Sequence, residues 1–182
     1  MYYRIEVNPN NIGTILETPF SLNPTRVGIA QNSLEWRLLS TLVDLSLTND
    51  ISLLNICNAA IQQNPVIADF LPGIWEVMME MARPNNVPLM RTQCTFFFKD
   101  MNDVLRFQQT YPGMMNGKIC EVEIIQEVFK MECDMNWLDS IDEKTAKASE
   151  AIDALKKYWS GQLTSQPVIE ILFAGKYKLK QI

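Results

Sequence analysis

The chain has 182 residues, 47% of them apolar and 20% charged, with a formal net charge of −5. That balance suits one folded domain with a real core and excludes a disordered chain; an acidic chain with no basic block also lacks the electrostatic footprint of a general nucleic-acid binder. Histidine is absent, which excludes Ser-His-Asp and Cys-His catalysis, the H-E-x-x-H zinc proteases and haem ligation by His, and leaves any chemistry to carboxylates, Tyr, Ser, Thr, Arg or Lys.

Tyr2 to Val7 reads as a short strand, with Tyr2, Arg4 and Glu6 on one face and Tyr3, Ile5 and Val7 on the other. Asn8-Pro9-Asn10-Asn11 closes it. From Gly13 to Gln31 the Pro, Gly and polar content predicts a loop, with one extended piece at Arg26 to Ala30.

The middle of the chain is predicted helical over about 33–83. Ser33 caps a helix carrying Leu34, Leu38, Leu42 and Leu45. Asp50 caps a second with Ile51, Leu54, Cys57 and Ile61. Asn64-Pro65 starts a third, which Pro72-Gly73 interrupts. Met and Trp at helical spacing in this stretch read first as core and second as a partner surface.

Arg91 to Phe98 reads as a strand ending in an aromatic run, and Asp100 caps a helix reaching about Thr110. Asn116-Gly117 is a turn signal. Lys118 to Phe129 is a long strand whose Glu121, Glu123 and Glu127 form an acidic, solvated face. A last helix is expected over about 142–160, capped by Ser140 or Asp142 and ended by Gly161.

Pro167 to Lys180 closes the chain as a strand. Ile169, Ile171, Phe173, Tyr177 and Leu179 share one parity, and Glu170, Lys176, Lys178 and Lys180 the other. Glu170 is therefore expected to be reachable from solvent or from a ligand. The four cysteines, Cys57, Cys94, Cys120 and Cys133, are far apart and form no C-x-x-C pair, so reduced, buried thiols and no zinc site are expected. The apolar runs are short, and neither a signal peptide nor a membrane span is expected.

The order of elements resembles the ADP-ribosyltransferase fold. Tyr3-Arg4-Ile5 matches its first strand, Arg91-Thr92-Gln93-Cys94-Thr95-Phe96 supplies a middle strand without a Ser-Thr-Ser, and Glu170-Ile171-Leu172 matches its late strand. In its second half the chain also resembles a poorly characterised group of bacterial and phage proteins. That likeness rests on the Arg91 to Phe107 pattern, Asp134-Met-Asn-Trp-Leu138, and Tyr158-Trp-Ser-Gly161 followed by Glu-Ile-Leu.

These resemblances imply an α+β single domain over 1–182. Its core would be a central, mostly antiparallel split sheet with a helical insertion after the first strand. The first resemblance implies a transferase that takes NAD as substrate, needs no metal, and moves ADP-ribose to a protein or nucleic-acid target. The second names no reaction but points to the cytoplasm of a bacterium or an infected host. Glu170 is then the catalytic carboxylate that faces an oxocarbenium-like state. Arg4, Arg91, Thr92 and Tyr158 would hold the dinucleotide, with Tyr158 or Trp159 stacking on a flat ring.

Each residue also has a plain structural role open to it. Arg4 suits a surface ion pair, Glu170 a solvated or Lys-paired carboxylate, Arg91 a structural charge, and Tyr158-Trp159 a hydrophobic anchor at a helix end. The alternative function is a non-catalytic interaction protein that uses the Met- and Trp-rich helices as a partner surface.

Overall fold

The computed structural model describes residues 1–18, 33–142 and 144–182; the extended piece expected at 26–30 lies outside them. The fold is α+β, and the chain divides into two compact units. One comprises Met1–Ser21, Gln93–Met135 and Leu163–Ile182, and the other Leu22–Thr92 and Asn136–Gln162.

The first unit carries the sheet. Its strands are β1 (Tyr2–Glu6), β2 (Ile15–Glu17), β3 (Thr95–Phe98), β4 (Lys118–Asp134) and β5 (Ile169–Gln181). All strand pairings are antiparallel, in the order β2-β5-β3-β1-β4, and β4 also pairs with β5. The circuit β1–β3–β5–β4 thus closes on itself, where a split sheet was expected. β2 was not foreseen, and it puts the helical insertion after the second strand instead of the first. Its three residues are too few to show alternation, and only pairing with Lys176 to Lys178 makes them a strand.

Strand β4 runs five residues beyond its expected end at Phe129 because β5 pairs with it down to Asp134. Glu121 and Glu123 share a face as expected, with Glu123 exposed and held by Lys180 at 3.0 Å. The register shift between Ile124 and Gln126 turns Glu127, opposite Gly175, to the other face, where it is exposed and holds Lys130 at 2.8 Å. One sheet face buries Phe97, Cys120, Val122, Ile171, Phe173, Tyr177 and Leu179 together. Opposite it, Ile5 and Phe98 pack with Val104 and, more loosely, with Met101 and Phe107 of α4 (Met101–Thr110). Asp100 caps α4 as expected, accepting the Asn102 N–H at 2.7 Å.

The second unit is helical: α1 (Leu34–Asn49), α2 (Leu53–Gln63), α3 (Ile74–Ala82), the single turn α5 (Asn136–Asp139) and α6 (Ala148–Trp159). Ser33 caps α1 as expected. Ser52, not Asp50, caps α2; Asp50 is the left-handed residue that ends α1, with φ 54°. α6 begins six residues later than expected. The Asp142 carboxylate is taken up by a local turn, accepting the Lys144 N–H and the Thr145 hydroxyl, so it caps no helix.

The interior of this unit joins Leu39 and Val43 of α1, Val77 and Met78 of α3, and Ala151, Leu155 and Trp159 of α6. The Trp159 indole donates to the Met79 carbonyl at 2.9 Å, locking α6 to α3. All four cysteines are buried thiols outside any disulfide, as expected.

Candidate functional site

Glu170 stands second in β5. It is opposed by Phe98 of β3 on one side and Cys133 of β4 on the other, and Phe98 is in turn opposed by Tyr3 of β1. Residues directly opposite across an antiparallel ladder share a face. Tyr3, Phe98, Glu170 and Cys133 therefore form one cross-strand row. Exposure differs along the row: Tyr3 is half-buried with a hydroxyl at the surface, whereas Glu170 is 2% exposed.

The burial of Glu170 corrects the expectation that solvent would reach it. Alternate positions along β5 do point to opposite faces, but both faces are covered over its first half. Leu172 and Ala174, on the parity of Glu170, are also buried, and that face opens only from Lys176 onward.

Arg4 projects from the other face. It is opposed by Cys120, and its guanidinium lies 5.8 Å from the centroid of the Tyr177 ring. Arg4 and Glu170 do not face one cleft. The near neighbour of Arg4 is Glu6, with Nε 3.6 Å from a carboxylate oxygen. Both of those atoms are buried and neither has a hydrogen-bond partner. The Cys120 thiol opposite is pushed up by burial and then by the Glu6 charge, which keeps it an inert thiol.

Arg91, Thr92 and Tyr158 all belong to the helical unit. Arg91 and Thr92 open a 3-10 turn, Arg91–Gln93, instead of a strand, which starts only at Thr95. Partners distant in sequence take up Arg91 instead. Arg91 donates from Nε to the Tyr158 hydroxyl at 3.2 Å, and its backbone N–H reaches the Glu80 carboxylate, which also holds Arg83 at 2.7 Å. The structure thus brings Arg91 and Tyr158 together. Tyr158 and Trp159 are buried in the interior, edge to face at 5.5 Å, and neither ring lies open for stacking.

Met78 and Met79, read alternatively as part of a partner surface, are also interior; Met81 is exposed. Among the described residues no helix is long and apolar enough to cross a membrane, and no group of three His, Cys, Asp or Glu is placed to hold a metal ion.

Two carboxylates not counted among the sequence-predicted site residues border the start of β5. Asp134 is fully buried. It accepts the Thr164 N–H and hydroxyl, both at 2.7 Å, and the Val168 N–H at 3.0 Å. Asp103, in the first turn of α4, accepts the Ile169 N–H and is pushed above its ordinary value by burial and by the nearby Asp100. Tyr3 was missed for a different reason. Only the register of β1 against β3 decides which of two adjacent residues, Tyr3 or Arg4, shares a face with Glu170.

No curated protein matches the chain. A family model described as "Protein of unknown function (DUF2441)" matches residues 31–182. The match begins after β1 and β2, so Glu170, Arg91, Thr92 and Tyr158 lie inside it while Tyr3 and Arg4 lie outside. Covering most of the chain, it shows that this protein belongs to the DUF2441 family.

Proposed function

We propose that the protein is an ADP-ribosyltransferase-like enzyme. Its sheet unit binds NAD as substrate beside Glu170 and passes ADP-ribose to a protein or nucleic-acid target. The observation that carries this reading is the row Tyr3–Phe98–Glu170: a carboxylate at the entry of the closing strand, on a face that also presents a half-exposed aromatic ring from the first strand.

The chemistry follows from that arrangement. The glycosidic bond from the ribose C1′ to nicotinamide breaks, and nicotinamide leaves with the bonding electrons. Positive charge grows on C1′ and the ring oxygen. Glu170 is 2% exposed, so the side chains that cover it must move aside for the ribose to reach it. The carboxylate then hydrogen-bonds the ribose and stabilises that charge. A nucleophile on the target then bonds to C1′ and loses its proton. The Tyr3 ring offers a flat surface for stacking. No step requires histidine.

The test is incubation with NAD, scored by nicotinamide release and by mass shift of candidate targets. Wild-type protein should release nicotinamide. Glu170→Gln, which keeps shape but removes the charge, should slow release by about 100-fold or more with thermal stability nearly unchanged. Absence of release, together with no change in melting temperature at millimolar NAD, would remove the reading.

A further inference from the structure

We propose that Asp103 and Asp134 are positioning residues: they hold the two backbone amides that precede Glu170 and so set where its carboxylate stands. The inference rests on the reading of Glu170 as the catalytic carboxylate.

β3 ends at Phe98, opposite Glu170, so no β3 residue opposes Ile169. The helix that follows at once supplies the missing acceptor, because Asp103 in its first turn takes the Ile169 N–H. One residue earlier, the Val168 N–H goes to Asp134 at 3.0 Å, and the Val168 carbonyl accepts the Met135 N–H at 2.9 Å. The second oxygen of Asp134 takes both donors of Thr164.

A fully buried carboxylate is costly unless its lone pairs are filled. Here three donors from the segment 164–168 fill them. Consecutive amides are thereby fixed from two directions, one by α4 and one by the end of β4. Displacing a reacting group by about 1 Å costs on the order of 100-fold in rate, so the approach to Glu170 is where rigidity counts.

The test uses the full chain with Asp103→Ala and Asp103→Asn. Asn keeps an oxygen that accepts the Ile169 N–H and drops the charge; Ala removes both. Asp103→Ala should lower kcat for nicotinamide release about tenfold with KM unchanged and speed hydrogen exchange at Ile169. Asp103→Asn should restore both to within about threefold of wild type. Thr164→Val, which removes one donor from Asp134, should speed exchange at Val168 and lower kcat in the same way, and it serves if Asp103→Ala does not fold.

Unchanged exchange and kcat in Asp103→Ala would overturn the proposal. So would an Asp103→Asn as impaired as Asp103→Ala, which would mean that the charge matters and the hydrogen bond does not. If wild-type protein releases no nicotinamide, the reading of Glu170 as catalyst falls. The clamp is then decided by exchange at Val168 and Ile169 alone.

Discussion

Tyr3 and Glu170 share one face of the sheet, with Phe98 between them in the same row. Arg4, the next residue along, points the other way and meets Tyr177 and Glu6. A dinucleotide lying against Glu170 therefore meets the Tyr3 ring and not the Arg4 guanidinium. Stacking of a base on an aromatic ring contributes about 1–3 kcal/mol, so Tyr3→Ala should weaken NAD binding by about tenfold. Tyr3→Phe should hold near wild type, and Arg4→Ala should leave binding unaltered. Calorimetric titration of the three variants checks this. Loss of binding in Arg4→Ala with binding intact in Tyr3→Ala would contradict the row.

Arg4 and Glu6 make a different prediction. Their facing atoms are buried, 3.6 Å apart and without hydrogen bonds. A buried pair in poor geometry gains little over an apolar replacement, but removing one member strands the other charge. Arg4→Met alone should cost about 3 kcal/mol, leaving the Glu6 charge beside Cys120 with the Asn8 N–H, at 2.9 Å, but no opposite charge at its buried oxygen. The double variant Arg4→Met, Glu6→Leu should recover most of that loss in urea unfolding. Equal destabilisation by the single and double variants would show that the pair is well satisfied.

Much of the fold could be read from the chain because it rests on local patterns. The alternation of β5, the Ser33 and Asp100 caps and the solvated glutamates of β4 all depend on neighbours within a few residues. What escaped depends on distant partners. β2 exists through its pairing with β5, and the start of α6 is decided by the turn that takes up Asp142. The site divides in the same way. The parity of Glu170 was legible, but its burial was not, because parity describes one strand and burial depends on what covers it. Which β1 residue shares its face required a register between strands about ninety residues apart.

Glu80 gives a test in pH. Burial pushes its carboxyl above the ordinary value, and the opposing contacts from Arg83 and the Arg91 backbone do not cancel that effect. The folded state therefore binds the proton more tightly than the unfolded chain. Stability falls as pH rises from the unfolded through the folded value, and the cost persists above it. Glu80→Gln carries no such titration. Its stability relative to wild type should therefore be greater at about pH 7 than at about pH 4, measured by urea midpoints. The opposite trend would mean that Arg83 outweighs burial at this site.

Three glycines separate backbone conformation from steric room. Gly113 lies outside the positive-φ region, and a Cβ there meets nothing within 4 Å. Gly13 has φ +85° with the same open space, so only its left-handed conformation resists a side chain. Gly175 combines both difficulties. Its φ is +143°, and a Cβ would stand 2.0 Å from the Gln126 carbonyl oxygen, where irregular pairing brings β4 against β5. A side chain there must push two paired strands apart. Substitution by Ala should therefore change stability by less than about 0.5 kcal/mol at Gly113. The cost should be about 1 kcal/mol at Gly13 and at least about 3 kcal/mol at Gly175. Urea unfolding of the three variants reads the order directly. A Gly175→Ala protein no less stable than Gly13→Ala would mean that β4 and β5 separate there at little cost, and that the close approach at Gln126 does not hold the ladder together.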